Sequence, residues 1–357
     1  MRYTSLFCAL AVVVFSACGQ EGSTPGDGQD QASTTTVPGE GGPLGAVPVP
    51  AENPLTEAKV ALGQQLFFDS RLSVDGSRSC YSCHQNENGN GGALQKAVGP
   101  GGRQLPRHSP VIWNVGYMPR FYWDGRSGSL EAQARGAWGG GNMGVGAEYL
   151  PLKAAEIGAI PGYSEQFEAV FGARGATAGT IVEAIASYER TLVCDDTRYD
   201  RFMAGEGAAL TEQQQFGLEL FNGKAGCATC HTPPFFSAQF ATDDGMYYNV
   251  GIGVAGVPES QVDVGRMSVT ESDGDWAAFK VPSLRNIAES SPYFHDGSVS
   301  DLEQAVRYMA GPGVANKNLS PLIMDRGLTD DEVRALVVFL GSLSCPAELI
   351  RPELPGG

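Results

Sequence analysis

Cysteine and histidine recur in one pattern at two places, Cys80-Tyr81-Ser82-Cys83-His84 and Cys227-Ala228-Thr229-Cys230-His231. In a Cys-x-x-Cys-His run the two thiols stand a turn apart and can add to the vinyl groups along one edge of a porphyrin. The adjacent imidazole then reaches the iron from below. A structural zinc site would want two such knuckles close together, and these lie in different halves of the chain. A redox dithiol has no need of the histidine. Two of the four His in the whole chain fall here. The pattern therefore predicts two covalently bound haem c groups, on Cys80/Cys83 and Cys227/Cys230, with His84 and His231 as proximal iron ligands.

Helical patterns must position these motifs. Thr56–Phe67 precedes the first, with apolar residues at helical spacing and Thr56 as N-cap; Thr211–Phe221 stands in the same relation to the second. A further helix from Thr329 through Leu343 closes the chain. Strand-like runs are few. The expected fold is mainly α: two cytochrome c-like haem domains packed together, with few short strands and long loops, at residues 49–190 and 191–349, followed by a tail at 350–357. Gly and Pro are abundant, at 48 and 22 of 357 residues, in keeping with many loops.

The first 17 residues read as an export signal: Arg2, an apolar stretch, then small residues up to Ala17. Phe15-Ser16-Ala17-Cys18 resembles a lipobox, which would make Cys18 the lipid-bearing first residue of the mature protein and place it in the periplasm, anchored to the outer membrane. Residues 18–48, rich in Gly, Ser, Thr, Pro and Gln, read as a flexible tether. The formal charge is −16, and removing residues 1–17 takes away only Arg2, leaving −17. Such acidity excludes nucleic acid as a partner and favours a basic-faced one. Cys194 and Cys345 remain once the other cysteines are assigned. Cys194 follows the helix-like Ile181–Val193 and Cys345 the closing helix, so in an oxidising compartment they can pair.

The stretches Phe121-Tyr122-Trp123-Asp124-Gly125-Arg126, Ser129-Leu130-Glu131-Ala132-Gln133-Ala134, Val281-Pro282-Ser283-Leu284-Arg285-Asn286 and Pro292-Tyr293-Phe294-His295-Asp296-Gly297 resemble the bacterial di-haem cytochrome c peroxidases. That superfamily also holds the methylamine-utilisation maturation enzymes. The resemblance spans about residues 50–345. It implies reduction of H2O2 to water at the N-terminal haem, with electrons from a small c-type cytochrome or a cupredoxin entering at the C-terminal haem. It also implies Met309 as sixth ligand of the C-terminal iron, where the maturation enzymes have Tyr, with Met324 as the second candidate. Trp123 would bridge the haems, and Arg126, Arg107 and His295 are candidate partners of haem propionates.

The sequence departs from the family in three places. Pro100 stands where the distal His belongs, and proline cannot ligate iron. Asn142 stands where the family has an acid, leaving Gln133 as the hydrogen-bonding distal residue, with Glu148 near enough in sequence to substitute. His108 replaces an Asn that, with the backbone at Ser290 and Pro292, binds an interdomain Ca2+. Imidazole suits a hard cation poorly, which puts calcium in doubt. Three functions follow: a peroxidase, a high-valent oxidase acting on a partner protein, and a non-catalytic di-haem electron carrier. Met309 favours the first over the second, and the missing acid keeps the third open.

Overall fold

The computed structural model describes residues 38–240 and 245–356. The export signal, Cys18 and most of the expected tether lie outside them. Ten α-helices run through the described residues: α1 (Glu57–Phe68), α2 (Leu130–Gly139), α3 (Leu150–Gly158), α4 (Pro161–Phe171), α5 (Ala178–Glu189), α6 (Arg198–Met203), α7 (Glu212–Asn222), α8 (Met267–Thr270), α9 (Leu302–Met309) and α10 (Asp330–Leu340). One two-residue antiparallel pair, β1 (Tyr247–Tyr248) with β2 (Phe279–Lys280), completes the regular structure. The fold is mainly α, as the sequence predicts. Threonine begins the helices that flank the haem motifs. Thr56 Oγ1 accepts from Lys59 N–H, and Thr211 and Thr329 form reciprocal capping boxes with Gln214 and Glu332.

Thr35–Gly357 clusters as one compact unit, within which there are two large apolar cores and a small cluster around Trp276. In the first, α1 crosses α5; in the second, α7 crosses α10. Each crossing turns on a glycine. A Cβ on Gly63 would lie 1.9 Å from the Ala184 carbonyl oxygen, and one on Gly217 would lie 2.2 Å from that of Ala335. Any larger residue would force the helices apart, so the same device sets both pairs.

The repetition goes further than the two haem motifs. Asn114 and Asn286 both adopt left-handed φ, at 63° and 64°, and each is followed by a short 3-10 turn. Asparagine tolerates that conformation better than most residues. Tyr122 and Phe294 also have positive φ, and the loops that hold them close on the bridges Phe121–Ser127 and Tyr293–Val299. Trp123 in one half thus corresponds to His295 in the other.

The two asparagines hold the chain on either side of a disulfide. Asn114 Oδ1 accepts from Cys194 N–H at 2.8 Å, and Asn286 Oδ1 from Cys345 N–H at 2.9 Å. Cys194 and Cys345 are bonded, with Cα atoms 5.6 Å apart. Helix α5 ends at Glu189, short of the expected Val193, so Cys194 sits in an extended link rather than at a helix end. Nearby, Arg285 is buried and makes a paired contact with Asp200 at 2.7 Å from each nitrogen.

Both ends of the described residues are docked. The last part of the expected tether, from Pro38 to residue 48, packs on the body: Leu44 and Val47 are buried, and Tyr117 Oη donates to Gly45 O at 2.6 Å. The tail returns to the N-terminal core, where Leu349 is buried and Leu354 packs against it. Arg71 donates to Pro355 O and Gln64 to Ile350 O. Apolar residues within Pro-rich sequence account for both departures from the expected free ends.

The disulfide closes a loop that contains the whole second core. Cys194→Ala with Cys345→Ala should lower stability by about 2–4 kcal/mol, measured as a shift in the denaturant midpoint of the haem-loaded protein.

Candidate haem sites and the junction between them

Both proximal histidines are held the same way. His84 Nδ1 lies 3.2 Å from Asn90 O, and His231 Nδ1 lies 3.1 Å from Phe236 O. A carbonyl can only accept, so each Nδ1 carries the proton and each Nε2 keeps its lone pair for a metal. Burial pulls both imidazoles down to about 4, which keeps them neutral. Asn90 is fixed in turn by Trp113, whose Nε1 donates to its Oδ1 at 2.8 Å.

The four motif cysteines are half-buried and none is in a disulfide. Burial pushes Cys80 far above the ordinary thiol value and Cys227 up to about 11. Neither environment stabilises the thiolate that zinc or redox exchange would need. Buried thiols beside an imidazole with a free Nε2 suit thioether attachment of haem.

In the C-terminal half these groups line one apolar cavity. Its walls include Cys227, Cys230 and His231, with Met309, Trp123 and His295. Met309 is the last residue of α9 and reaches this cavity, whereas Met324 is 46 % exposed and does not line it. Tyr308 is turned away, its hydroxyl donating to Val250 O at 2.9 Å. A soft thioether and an imidazole are thus offered to one space.

In the N-terminal half, α2 occupies the place that α9 occupies in the other. The eighth residue of α9 is Met309, and the eighth of α2 is Ala137. Pro100 begins a short turn that packs against the turn holding Asn142: a Cβ on Gly99 would lie 2.1 Å from Gly141 O. Pro100 and Asn142 are therefore brought together. Gln133 is half-buried on α2, and its carbonyl accepts from Tyr122 Oη at 3.0 Å. Glu148 is exposed on the following turn.

The halves meet through a reciprocal exchange. Lys280 N–H donates to Trp123 O, and His108 N–H donates to His295 O, both at 2.8 Å. Trp123 Nε1 also donates to His108 O at 2.8 Å, and its ring lies 6.5 Å from that of His295. His295 stacks on Phe279 at 3.6 Å. Burial lowers the His295 imidazole to about 4 despite Asp296 and Asp263, so this propionate candidate would donate a neutral N–H. His108 Nδ1 is tied to Leu94 O at 3.0 Å.

The two arginine candidates already have carboxylate partners. Arg107 holds Asp263 with two nitrogens and Asp124 with a third. Arg126 bonds Asp124 and lies over the Tyr122 ring at 3.5 Å.

The model of the di-haem cytochrome c peroxidase family matches residues 57–208. Cytochrome-c peroxidase IdrP1 of Denitromonas iodatirespirans is 38% identical over 97% of this chain and 96% of its own. The chain belongs to the di-haem cytochrome c peroxidase family. MauG, the methylamine utilization protein of Methylorubrum extorquens, is 37% identical over 87% of this chain and 85% of its own. The crystal structure of a MauG-like protein associated with microbial copper homeostasis superposes with a TM-score of 0.77 at 30% identity, covering 92% of this chain and 98% of that one. As in the family, the chain carries two haem c groups, and the cysteines and imidazoles described above fit them.

Sequence reasoning missed Glu189 at the N-terminal site. It is 7% exposed, its Oε2 has no hydrogen-bond partner, and its charge acts on Cys80 and Tyr122. The available signal was a carboxylate in line with Ile181 and Ile185 on the buried face of α5. Burial raises it to about 8, against the pull of Arg190 and with Glu131 adding to the rise. The folded state therefore holds a proton that the unfolded chain loses above the ordinary carboxylate value of 4.5. Stability from this group is full below that value and is lost as pH rises through about 8. Glu189→Gln should flatten that decline, seen as denaturant midpoints of the haem-loaded proteins compared at about pH 5 and about pH 9.

Proposed function

We propose that the protein is an exported peroxidase that reduces H2O2 with electrons from a small redox protein, received at the C-terminal haem and passed to the N-terminal one. The observation that carries this reading is the asymmetry of the two sites. Met309 faces the cavity of His231, while its counterpart is Ala137 and the distal position holds Pro100. One site offers two protein ligands and suits electron exchange. The other offers His84 alone and leaves a face for substrate.

Haem iron supplies the electron transfer that cleaves the O–O bond, in H2O2 + 2H⁺ + 2e⁻ → 2H2O. The chain's own residues bind, orient and supply protons. His84 and His231 would hold the two irons through Nε2, and Met309 would add a thioether at the C-terminal site. Gln133 is the amide that would hold peroxide by hydrogen bonding. Asn142 can orient a water or a peroxide oxygen, but an amide does not carry the proton as a carboxyl does. Trp123, hydrogen-bonded into both halves, offers a π-system along the path between them.

A second reading, oxidation of a partner protein in the manner of MauG, draws on the 37% identity and on Asn142. Tyr308, bonded to Val250 and not itself part of the cavity lining, speaks for the first. Localisation in the periplasm through a lipid on Cys18 remains the reading of the sequence; no described helix is long and apolar enough to cross a membrane.

Stopped-flow spectroscopy of the holoprotein tests the reading. The fully oxidised protein should show a high-spin haem beside a low-spin one and react with H2O2 without prior reduction. Two low-spin haems, inert until an electron is added, would contradict it. Asn142→Glu should raise the peroxide rate constant about a hundredfold.

The acidic mature chain, at −17 by the count above, draws cationic partners. Turnover with a basic cytochrome c should therefore fall as salt rises past about 0.1 M, where the Debye length is about 10 Å. A rate indifferent to salt would show that the acidity serves solubility alone.

A further inference from the structure

Lys280 is a buried cation that the mechanism above does not use. It is 7% exposed, and its Nζ has one hydrogen-bond partner, the Met118 thioether sulfur at 3.7 Å. Burial pulls it down, to about 8, and no carboxylate among the described residues raises it. A thioether is a weak acceptor and carries no charge. Burying an ammonium is unfavourable unless an anion is paired with it, and a neutral sulfur does not supply that charge.

Other buried cations are differently placed. Arg190 and Arg285 face carboxylates, as does the half-buried Arg107, and Lys59 donates to Asn53 Oδ1 and Pro54 O. Arg266 donates to the carbonyls of Asp124 and Gly125 and lies over the Tyr247 ring. Lys280 instead lines the haem cavity, on a wall shared with Met118 and Trp123 of the other half. The cavity's other cation, Arg326, acts on Cys227 and Cys230, where the vinyl edge of the porphyrin is attached. Haem carries its two carboxylates on the edge away from the vinyls. It thus brings the type of charge Lys280 lacks.

We propose that Lys280 is the counter-charge of a haem propionate at the junction of the two halves. Its backbone N–H already holds the Trp123 carbonyl, so one residue fixes both the bridging indole and a haem edge. Neutralising the propionate favours the reduced iron, and its loss would favour the oxidised one. The inference rests on the haems and not on peroxidase turnover, and it is read as a potential.

Spectroelectrochemical titration of Lys280→Met and Lys280→Gln, beside Lys280→Arg, is the test. In Met and Gln the reduction equilibrium of one haem should fall about tenfold, equal to about 59 mV for one electron, and Arg should restore most of it. A fall confined to the low-spin haem assigns the propionate to the C-terminal site; a fall confined to the high-spin haem assigns it to the N-terminal one. Loss of haem in Met and Gln but not in Arg would equally support the pairing. Unchanged potentials in Met and Gln, a fall that Arg does not restore, or loss of haem in all three variants would overturn it.

Discussion

The two reciprocal hydrogen bonds between the halves are the constraint on which the sites depend. Each half presents a loop with a positive-φ aromatic, and each loop's next residue accepts from the backbone of the opposite half: Trp123 from Lys280, His295 from His108. Backbone groups buried at such a seam must be paired, so the exchange fixes the register of one half on the other. Proline follows close behind each donor, at Pro110 and Pro282, and the electrostatics of His84 and His231 register the carbonyls of those same prolines. A shift at the seam would therefore be felt at both iron ligands. The indole between the sites has its place because the seam has one solution.

A near-symmetric frame carries an asymmetric pair of sites. Glycine crossings, left-handed asparagines and proximal carbonyls are the same in both halves, while the eighth residue of α9 carries a thioether and the eighth of α2 a methyl. The division of labour thus rests on a few side chains set in a duplicated backbone. This agrees with relatives that bear both peroxidase and MauG names, because function resides in the site more than in the frame.

The haem motifs and the capped helices were legible because each is local. Spacing fixes a Cys-x-x-Cys-His turn, and a Thr three residues before Glu or Gln fixes a helix start. Pairing of Cys194 with Cys345 was accessible by elimination, though the asparagines that hold them were not. The engagement of Arg107 and Arg126 by Asp124 and Asp263, and the isolation of Lys280 and Glu189, depend on what the folded chain brings near them. No periodicity records that an ammonium has only a sulfur for company. The docked tail and tether end were hidden for a related reason: a few apolar residues in Pro- and Gly-rich sequence give no period, yet suffice to fill a groove once one exists.

The neck formed by Cys194 and Cys345 has a consequence for assembly. Cys194 belongs to the N-terminal core, Cys345 packs against it, and the chain beyond returns to it. The C-terminal half is thus a cassette whose entrance and exit are stapled side by side on its neighbour. The staple can form only after the last helix of the cassette has been made, because Cys345 follows it. Because a disulfide is favoured by oxidising surroundings, the bond would act as a late latch, shut where such surroundings are met.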